Sequence, residues 1–271
     1  TGAYHALPSW QGYHVPKAAF LERLRMTLYL PIPGADALPP RCTAHGCNAV
    51  MDPRGYHLYF CGHSGGTSLR HNLLRDLTYE IARTVGCSNV EREKYLNRNR
   101  DDRRLDVFLD NIFVDNTVVS LTHAMSPDGD GGWRRNSLAA TTQGAAAREG
   151  WRRKCRKYPP ADLPPGTELK PAVMEPFGHM GHTFVELLAH FAAKAHEVRG
   201  WPEWFFWHKF APKFGACLAK GNYEKACFMR NFYERRRVDG DAATGGGGPD
   251  ASRPVAHDRE LDLDGPAQSA R

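Results

Sequence analysis

The chain has 271 residues, 41% of them hydrophobic, with a mean hydropathy of −0.54. That is room for one sizeable domain with appendages, and no apolar run approaches the ~20 residues of a membrane-spanning helix. The net charge is +6 with a pI near 9.0, and the segment from Val238 onward holds seven acidic and three basic residues, so the residues before it are strongly basic.

A basic body with interleaved aromatic residues points to a polyanion, most simply nucleic acid. The seven cysteines are neither even in number nor dense. That usage fits metal binding in a reducing, intracellular setting better than a secreted disulfide framework. The first residue is Thr and no signal peptide is visible, as expected of a fragment or processed piece.

Residues 1–16 read as irregular. From Lys17, the positions of Phe20, Leu21, Leu24, Met26 and Leu28 predict a short amphipathic helix that Pro31 terminates. A proline-rich loop over 31–40 follows. Cys42, Cys47, His57 and Cys61 then stand at the spacing C-x4-C-x9-H-x3-C. Three thiolates and an imidazole suit tetrahedral Zn²⁺. The turn residues Met51 to Gly55 can fold the second half of the segment back onto the first. His57 is the first choice for the nitrogen ligand, with His71 or His63 in reserve. The competing reading is a set of unrelated free or buried cysteines.

After Cys61, a Gly-rich turn leads to a helix predicted over about Leu69–Thr84. Ser68 is its N-cap, Leu73, Leu74, Leu77, Ile81 and Val85 its apolar stripe, and Gly86 its stop. Arg70, His71 and Asn72 near its N-terminus are candidate phosphate contacts. A charged stretch, EREKYLNRNRDDRR, precedes a strand over 105–109, a turn at Asp110-Asn111 and a second strand over 112–122. A helix is expected over 137–158, strongly basic at Arg148, Arg152, Arg153, Lys154, Arg156 and Lys157. A strand over 169–174 and a helix over 183–198 come next. The aromatic and basic stretch 201–237 is expected to pack against the main domain rather than stack on bases. Composition assigns 238–271 to disorder.

The fold class is therefore α/β (α+β), a small mixed sheet flanked by helices. The expected divisions are 1–40, a zinc module over 41–68, a main domain over 69–198, an extension over 199–237 and a tail over 238–271. Within the main domain Glu93 and Asp106 could hold Mg²⁺ or Mn²⁺ against a phosphate. Lys154 or Lys157 would stabilise charge in the transition state.

Taken in order, these residues resemble the C-terminal region of non-LTR retrotransposon polyproteins, a CCHC zinc knuckle followed by a restriction-endonuclease-like PD-(D/E)XK nuclease. Cys42, Cys47 and Gly55 to Cys61 are similar to the knuckle, and Arg70-His71-Asn72 with Arg75-Asp76 to the helix after it. Arg92-Glu93-Lys94 resembles the acidic site and Arg104-Leu105-Asp106 the first metal-ligand motif. Lys154 to Tyr158 resembles the basic motif, and Glu175 to Gly181 the closing Glu-Thr-x-Gly-x-x-Gly pattern. The similarity covers about residues 20–195.

The resemblance implies an endonuclease that nicks target DNA to prime reverse transcription, with structural zinc and catalytic Mg²⁺ or Mn²⁺. It also implies DNA or RNA as partner through Arg70, His71, Arg152, Arg153 and Arg156, an upstream reverse transcriptase domain, and nuclear action. The family's second aspartate, in Asp-Val-Thr-Val, is matched here to Ser120-Leu121-Thr122-His123. Asp115, five residues earlier, is expected on the opposite strand face. A chain lacking that carboxylate would be a binding module without hydrolysis, or a decayed copy.

Overall fold

The computed structural model describes residues 14–63, 66–97, 101–119 and 142–243. It is a mixed α/β architecture with six α-helices and one four-stranded sheet among the described residues. In chain order these are α1 (Lys17–Thr27), α2 (His57–Phe60), α3 (Gly66–Val85), β1 (Glu91–Asn97), β2 (Asp101–Leu109), β3 (Ile112–Val118), α4 (Ala145–Lys157), β4 (Glu168–Met174), α5 (His182–Arg199) and α6 (Glu203–Ala243). Residues up to Glu234 form one compact unit. No helix among the described residues is long and apolar enough to cross a membrane.

The sheet order is β1-β2-β3-β4. The first two pairings are antiparallel and β3–β4 is parallel. Asp110 and Asn111 close the β2–β3 hairpin, both at positive φ (43° and 65°), the conformation a two-residue turn demands and Asx residues tolerate. A parallel neighbour needs a long crossover, which here carries α4.

Three apolar clusters hold the layers together. Val107, Leu109, Ile112, Val114, Ala172 and Met174 of the sheet join side chains of α3, α5 and α6, including Phe184, Phe191, Phe206 and Phe214. Phe108 and Phe113 gather with Tyr158 just past α4, and Val119 and Val173 with Ala146 and Ala147 within it. Each fully buried Phe contributes roughly 1.5–3 kcal/mol.

Several expectations need correction. The charged stretch from Glu91, given no element above, opens with strand β1. It is an edge strand with largely exposed side chains, so it lacks an apolar alternation. The basic helix described here starts at Ala145, after Gly144 at φ +75°; the expected residues 137–141 lie outside the described residues. Ser68 lies inside α3 rather than capping it.

Most of the stretch 201–237 lies in one helix of 41 residues, Glu203–Ala243, so Val238–Ala243 belong to that helix rather than to a disordered tail. Pro212, Gly215 and Gly221 within α6 conceal the helix, because each disfavours one locally. Phe206, Phe210 and Phe214 are buried, as the packing reading expects, while Trp204 is exposed.

Gly221 has a packing reason. A Cβ there would lie 2.9 Å from Arg70 Cγ and 3.0 Å from Arg70 Cα, so α6 can cross α3 this closely only without a side chain. Arg70 and Lys225 are both buried at this crossing, and burial, with Arg70 beside it, draws the Lys225 ammonium down to about 7.

Helix α1 is turned differently from its apolar pattern. Ala19, Glu22 and Met26 are buried, while Phe20, Leu21, Leu24 and Leu28 are exposed. Glu22 explains the rotation. It accepts a hydrogen bond from the Tyr59 hydroxyl and an ion pair from Arg230 Nη2 at 2.8 Å, joining α1, α2 and α6. Glu22→Ala leaves the partly buried Arg230 guanidinium without its carboxylate and the buried Tyr59 hydroxyl without its acceptor. It is expected to cost about 1–3 kcal/mol in urea unfolding. Glu149→Ala, which removes a partly exposed partner of Arg152 and Arg156, should cost at most about 1 kcal/mol.

Candidate functional site

The first cluster forms at residues 41–61. Arg41 and Val50 make an antiparallel bridge, and Cys42 N donates to Ala49 O at 2.8 Å, folding the segment into a narrow hairpin. Gly46 (φ +77°) and Asn48 (φ +49°) turn its tip. Asp52 then acts as a local clamp. Its Oδ1 accepts from Arg54 N at 3.1 Å and its Oδ2 from His57 N at 2.8 Å, which starts α2 and aims His57 at the hairpin.

The ligand atoms of Cys42, Cys47, His57 and Cys61 all lie within 4.8 Å of one another. Cys42 Sγ to Cys61 Sγ is 3.8 Å, and Cys47 Sγ to His57 Nε2 is 3.4 Å. A tetrahedral Zn²⁺ with metal–sulfur bonds of about 2.3 Å and a metal–nitrogen bond of about 2.0 Å has S···S edges of about 3.8 Å and S···N edges of about 3.5 Å. The four residues therefore fit that ion.

Electrostatics agree. Hydrogen bonds from Cys61, His57 and Tyr233 draw the Cys42 thiol down to about 3. Cys61 is pushed up by its bond to Cys42 and by burial, and Cys47 chiefly by burial. A bound divalent cation would favour the thiolate form of all three sulfurs. His57 is the nitrogen donor. His71 is engaged elsewhere, and His63 lies outside the set.

The second cluster lies on the sheet. The β2–β3 register pairs Val107 with Val114, and one more step sets Asp106 opposite Asp115. Asp115 therefore shares a face with Asp106, because directly opposed residues do; position 120, relative to which Asp115 is expected on the other face, lies outside the described residues. Asp115 is 4% exposed, and Lys154 Nζ sits 2.9 Å from its Oδ1 and 2.8 Å from its Oδ2. Oδ2 is a buried oxygen that accepts no hydrogen bond among the described residues. Burial pushes the Asp115 carboxyl above its ordinary range against the pull of Lys154, and the charge of Asp106 pushes it further.

Asp106 receives Asn116 N at 2.6 Å on Oδ2, and His71 Nε2 lies 3.0 Å from its Oδ1. Two carboxylates, an ammonium and an imidazole from β2, β3, α4 and α3 thus meet at one place.

The hydrogen bond to Asp106 raises the His71 pKa, with burial opposing it. A raised histidine adds stability fully below its unfolded value near 6.5 and loses it as pH rises through the raised value. In the metal-free protein His71→Gln is expected to lower stability by about 1 kcal/mol or less at about pH 5.5, since solvent screens a group this exposed. The difference should close by about pH 8.5. Urea unfolding at both pH values checks this.

Other expected site residues fall elsewhere. Glu93 (φ +52°) is held by Arg75 Nη1 at 2.5 Å and Arg104 Nη1 at 2.9 Å, so two guanidiniums already neutralise it. Arg70 is buried, donating to Tyr59 O at 3.2 Å and Asn222 Oδ1 at 2.8 Å, and has no surface for a phosphate. Arg152, Arg153, Arg156 and Lys157 are exposed along α4, where Arg152 and Arg156 share Glu149 and Lys157 lies 4.9 Å from the Tyr158 ring centroid. Glu175 is buried and accepts from Ala147 N at 3.1 Å, anchoring the first turn of α4. Ser120 to His123 lie outside the described residues.

Counting outward from the two-residue turn at Asp110-Asn111 sets Asp115 opposite Asp106, a signal present in the sequence. No protein-family model, curated protein or solved structure matches the chain.

Proposed function

We propose that the chain is a divalent-metal-dependent nucleic-acid endonuclease domain with a structural zinc module, of the kind found in non-LTR retroelements. The observation that carries this reading is the nearness of Asp106 and Asp115, one step past the Val107–Val114 pair, with Lys154 reaching Asp115. Asp115-Asn116-Thr117-Val118 on β3 would then take the part of the family's Asp-Val-Thr-Val, with Asp115 as the second carboxylate.

Asp106 and Asp115 would hold Mg²⁺ or Mn²⁺, with Lys154 giving up its contact to Asp115 Oδ2 as the ion enters. A bound ion would supply charge neutralisation and an acidified water. Lys154 would stabilise the charge that builds on phosphorus-bound oxygen as water adds and the P–O3′ bond breaks, the leaving oxygen taking a proton to become a 3′-hydroxyl end able to prime reverse transcription. Arg152, Arg153, Arg156 and Lys157 on α4 would hold the backbone of the DNA or RNA beside it. Zinc in the Cys42–Cys47–His57–Cys61 set would fix the module in front of α3. The setting would be nuclear, with a reverse transcriptase domain as neighbour in the polyprotein.

The test is nicking of supercoiled plasmid by purified protein with Mg²⁺ or Mn²⁺. Native protein is expected to convert it to open circles and Asp106→Ala to leave it intact. If both leave it intact, the nuclease reading is wrong. A second reading has one observation behind it: His71 and Lys154 already satisfy both carboxylates without a metal. A binding module without hydrolysis would then retain nucleic acid with strong salt dependence and show no nicking.

A further inference from the structure

We propose that Cys87, Asp110 and His190 form a second, independent transition-metal site, of the Zn²⁺ class, with one position open to solvent. Their ligand atoms lie within 4.8 Å of one another, and none of the three belongs to either cluster above. They come from three elements. Cys87 follows the end of α3, Asp110 is in the β2–β3 turn, and His190 is midway along α5.

Local structure fixes each of them. Gly86, at φ +93°, ends α3, and a Cβ there would lie 2.6 Å from Val198 Cγ1, so this end of α3 is pressed against α5. Asp110 is locked to the residue after Cys87. Asp110 N donates to Ser88 O at 3.0 Å, and Ser88 N and Oγ donate to Asp110 Oδ1 at 2.6 and 2.7 Å. With Oδ1 occupied, Oδ2 is turned to His190 Nε2 at 2.9 Å. Ser88 thus stands behind the carboxylate as an orienting partner, the arrangement that second-shell groups provide at metal sites.

The donor set selects the ion. One thiolate, one imidazole and one carboxylate are the borderline mixture that Zn²⁺ takes and that Mg²⁺ and Ca²⁺ do not. A tetrahedral N···O edge is about 3.3 Å, so binding opens the His190–Asp110 contact by only a few tenths of an ångström. Three protein ligands leave a fourth position for water, and all three residues are partly exposed, so an ion has a way in. Binding is balanced by loss of the Cys87 thiol proton to solvent, which leaves thiolate and carboxylate to neutralise the divalent charge. Helix α3 has 20 residues, so this site and the Cys42–Cys61 cluster sit at opposite ends of a rod about 30 Å long.

The experiment reconstitutes the full chain with Zn²⁺, removes excess ion and measures metal per chain. About two ions are expected in the native protein and about one in Cys87→Ser and in His190→Gln, whose amide can still bond Asp110. Cys47→Ser should lose the other ion and retain this one, which separates failure here from failure of the zinc-module reading. In the unmutated protein the second equivalent of Zn²⁺ should slow alkylation of Cys87 and leave Cys155 unaffected. A native protein that holds one ion, lost in Cys47→Ser, with Cys87 alkylated at the same rate throughout, overturns the proposal. So do two ions retained in both Cys87→Ser and His190→Gln.

Discussion

Asp115→Asn is expected to reduce metal-dependent nicking by at least about 10²–10³-fold, the scale on which a single well-placed electrostatic group contributes to such a step. Asn keeps the volume of a residue that is 4% exposed and removes only its charge. The substitution leaves Lys154 without its counterion. The lysine side chain is 22% exposed, so water can solvate it, and the protein should remain folded with a modest loss of stability. Glu93→Gln is the matched control, because Glu93 is already neutralised by Arg75 and Arg104. It should change the nicking rate by less than about tenfold. Single-turnover plasmid nicking measures both. A native rate in Asp115→Asn, or equal losses in the two variants, would mean that the acidic pair is not the reacting centre.

The contrast between these carboxylates shows what the chain discloses before folding. The Cys3His cluster is legible because its members are local. Cys42, Cys47, His57 and Cys61 span twenty positions, and Asp52 and the Gly46 turn close the loop over a short distance. Asp106 stands out differently, as a charge inside an apolar strand. Asp115 was equally visible but was discounted, because its strand was aligned by motif spacing rather than counted from the turn at Asp110-Asn111. Arg70 misled in the opposite sense. Its place near a helix start looked exposed, but α6 covers it, held close by Gly221, some 150 positions away in sequence. Contacts of that separation leave no local pattern, and Glu22 with Arg230 is another such case. A lone acidic residue on a short helix reads as solvated until its partner arrives from α6.

Removing zinc is expected to unfold the module while the sheet survives. A structural zinc site contributes about 10–16 kcal/mol to folding in isolated fingers, which equals or exceeds the ~5–15 kcal/mol that holds a whole domain. Here the ligands are part of an apolar cluster. Cys42 and Cys61 pack with Met26, Ile32, Leu58 and Tyr59, and with Ala226, Met229 and Tyr233 of α6. The sheet has a separate core around Phe184, Phe191 and Phe214, so loss of the ion should not reach it directly.

Cys61→Ser, or a strong chelator, should therefore raise hydrogen exchange over residues 41–61 and the facing turns of α6, with β2 and β3 still protected. Tyr233 tests the link between the two parts, because its hydroxyl donates to Cys42 Sγ at 3.0 Å. Tyr233→Phe keeps the ring and removes that bond together with the hydroxyl's weak 4.0 Å contact to Met51 Sδ, and should weaken zinc binding about 10–100-fold. Cys155→Ser, at a partly exposed cysteine outside both metal-ligand sets, should do none of this. Zinc content and protection unchanged in Cys61→Ser would leave the cysteines as ordinary core residues. Collapse of the sheet along with the module would mean instead that the two cores fold as one.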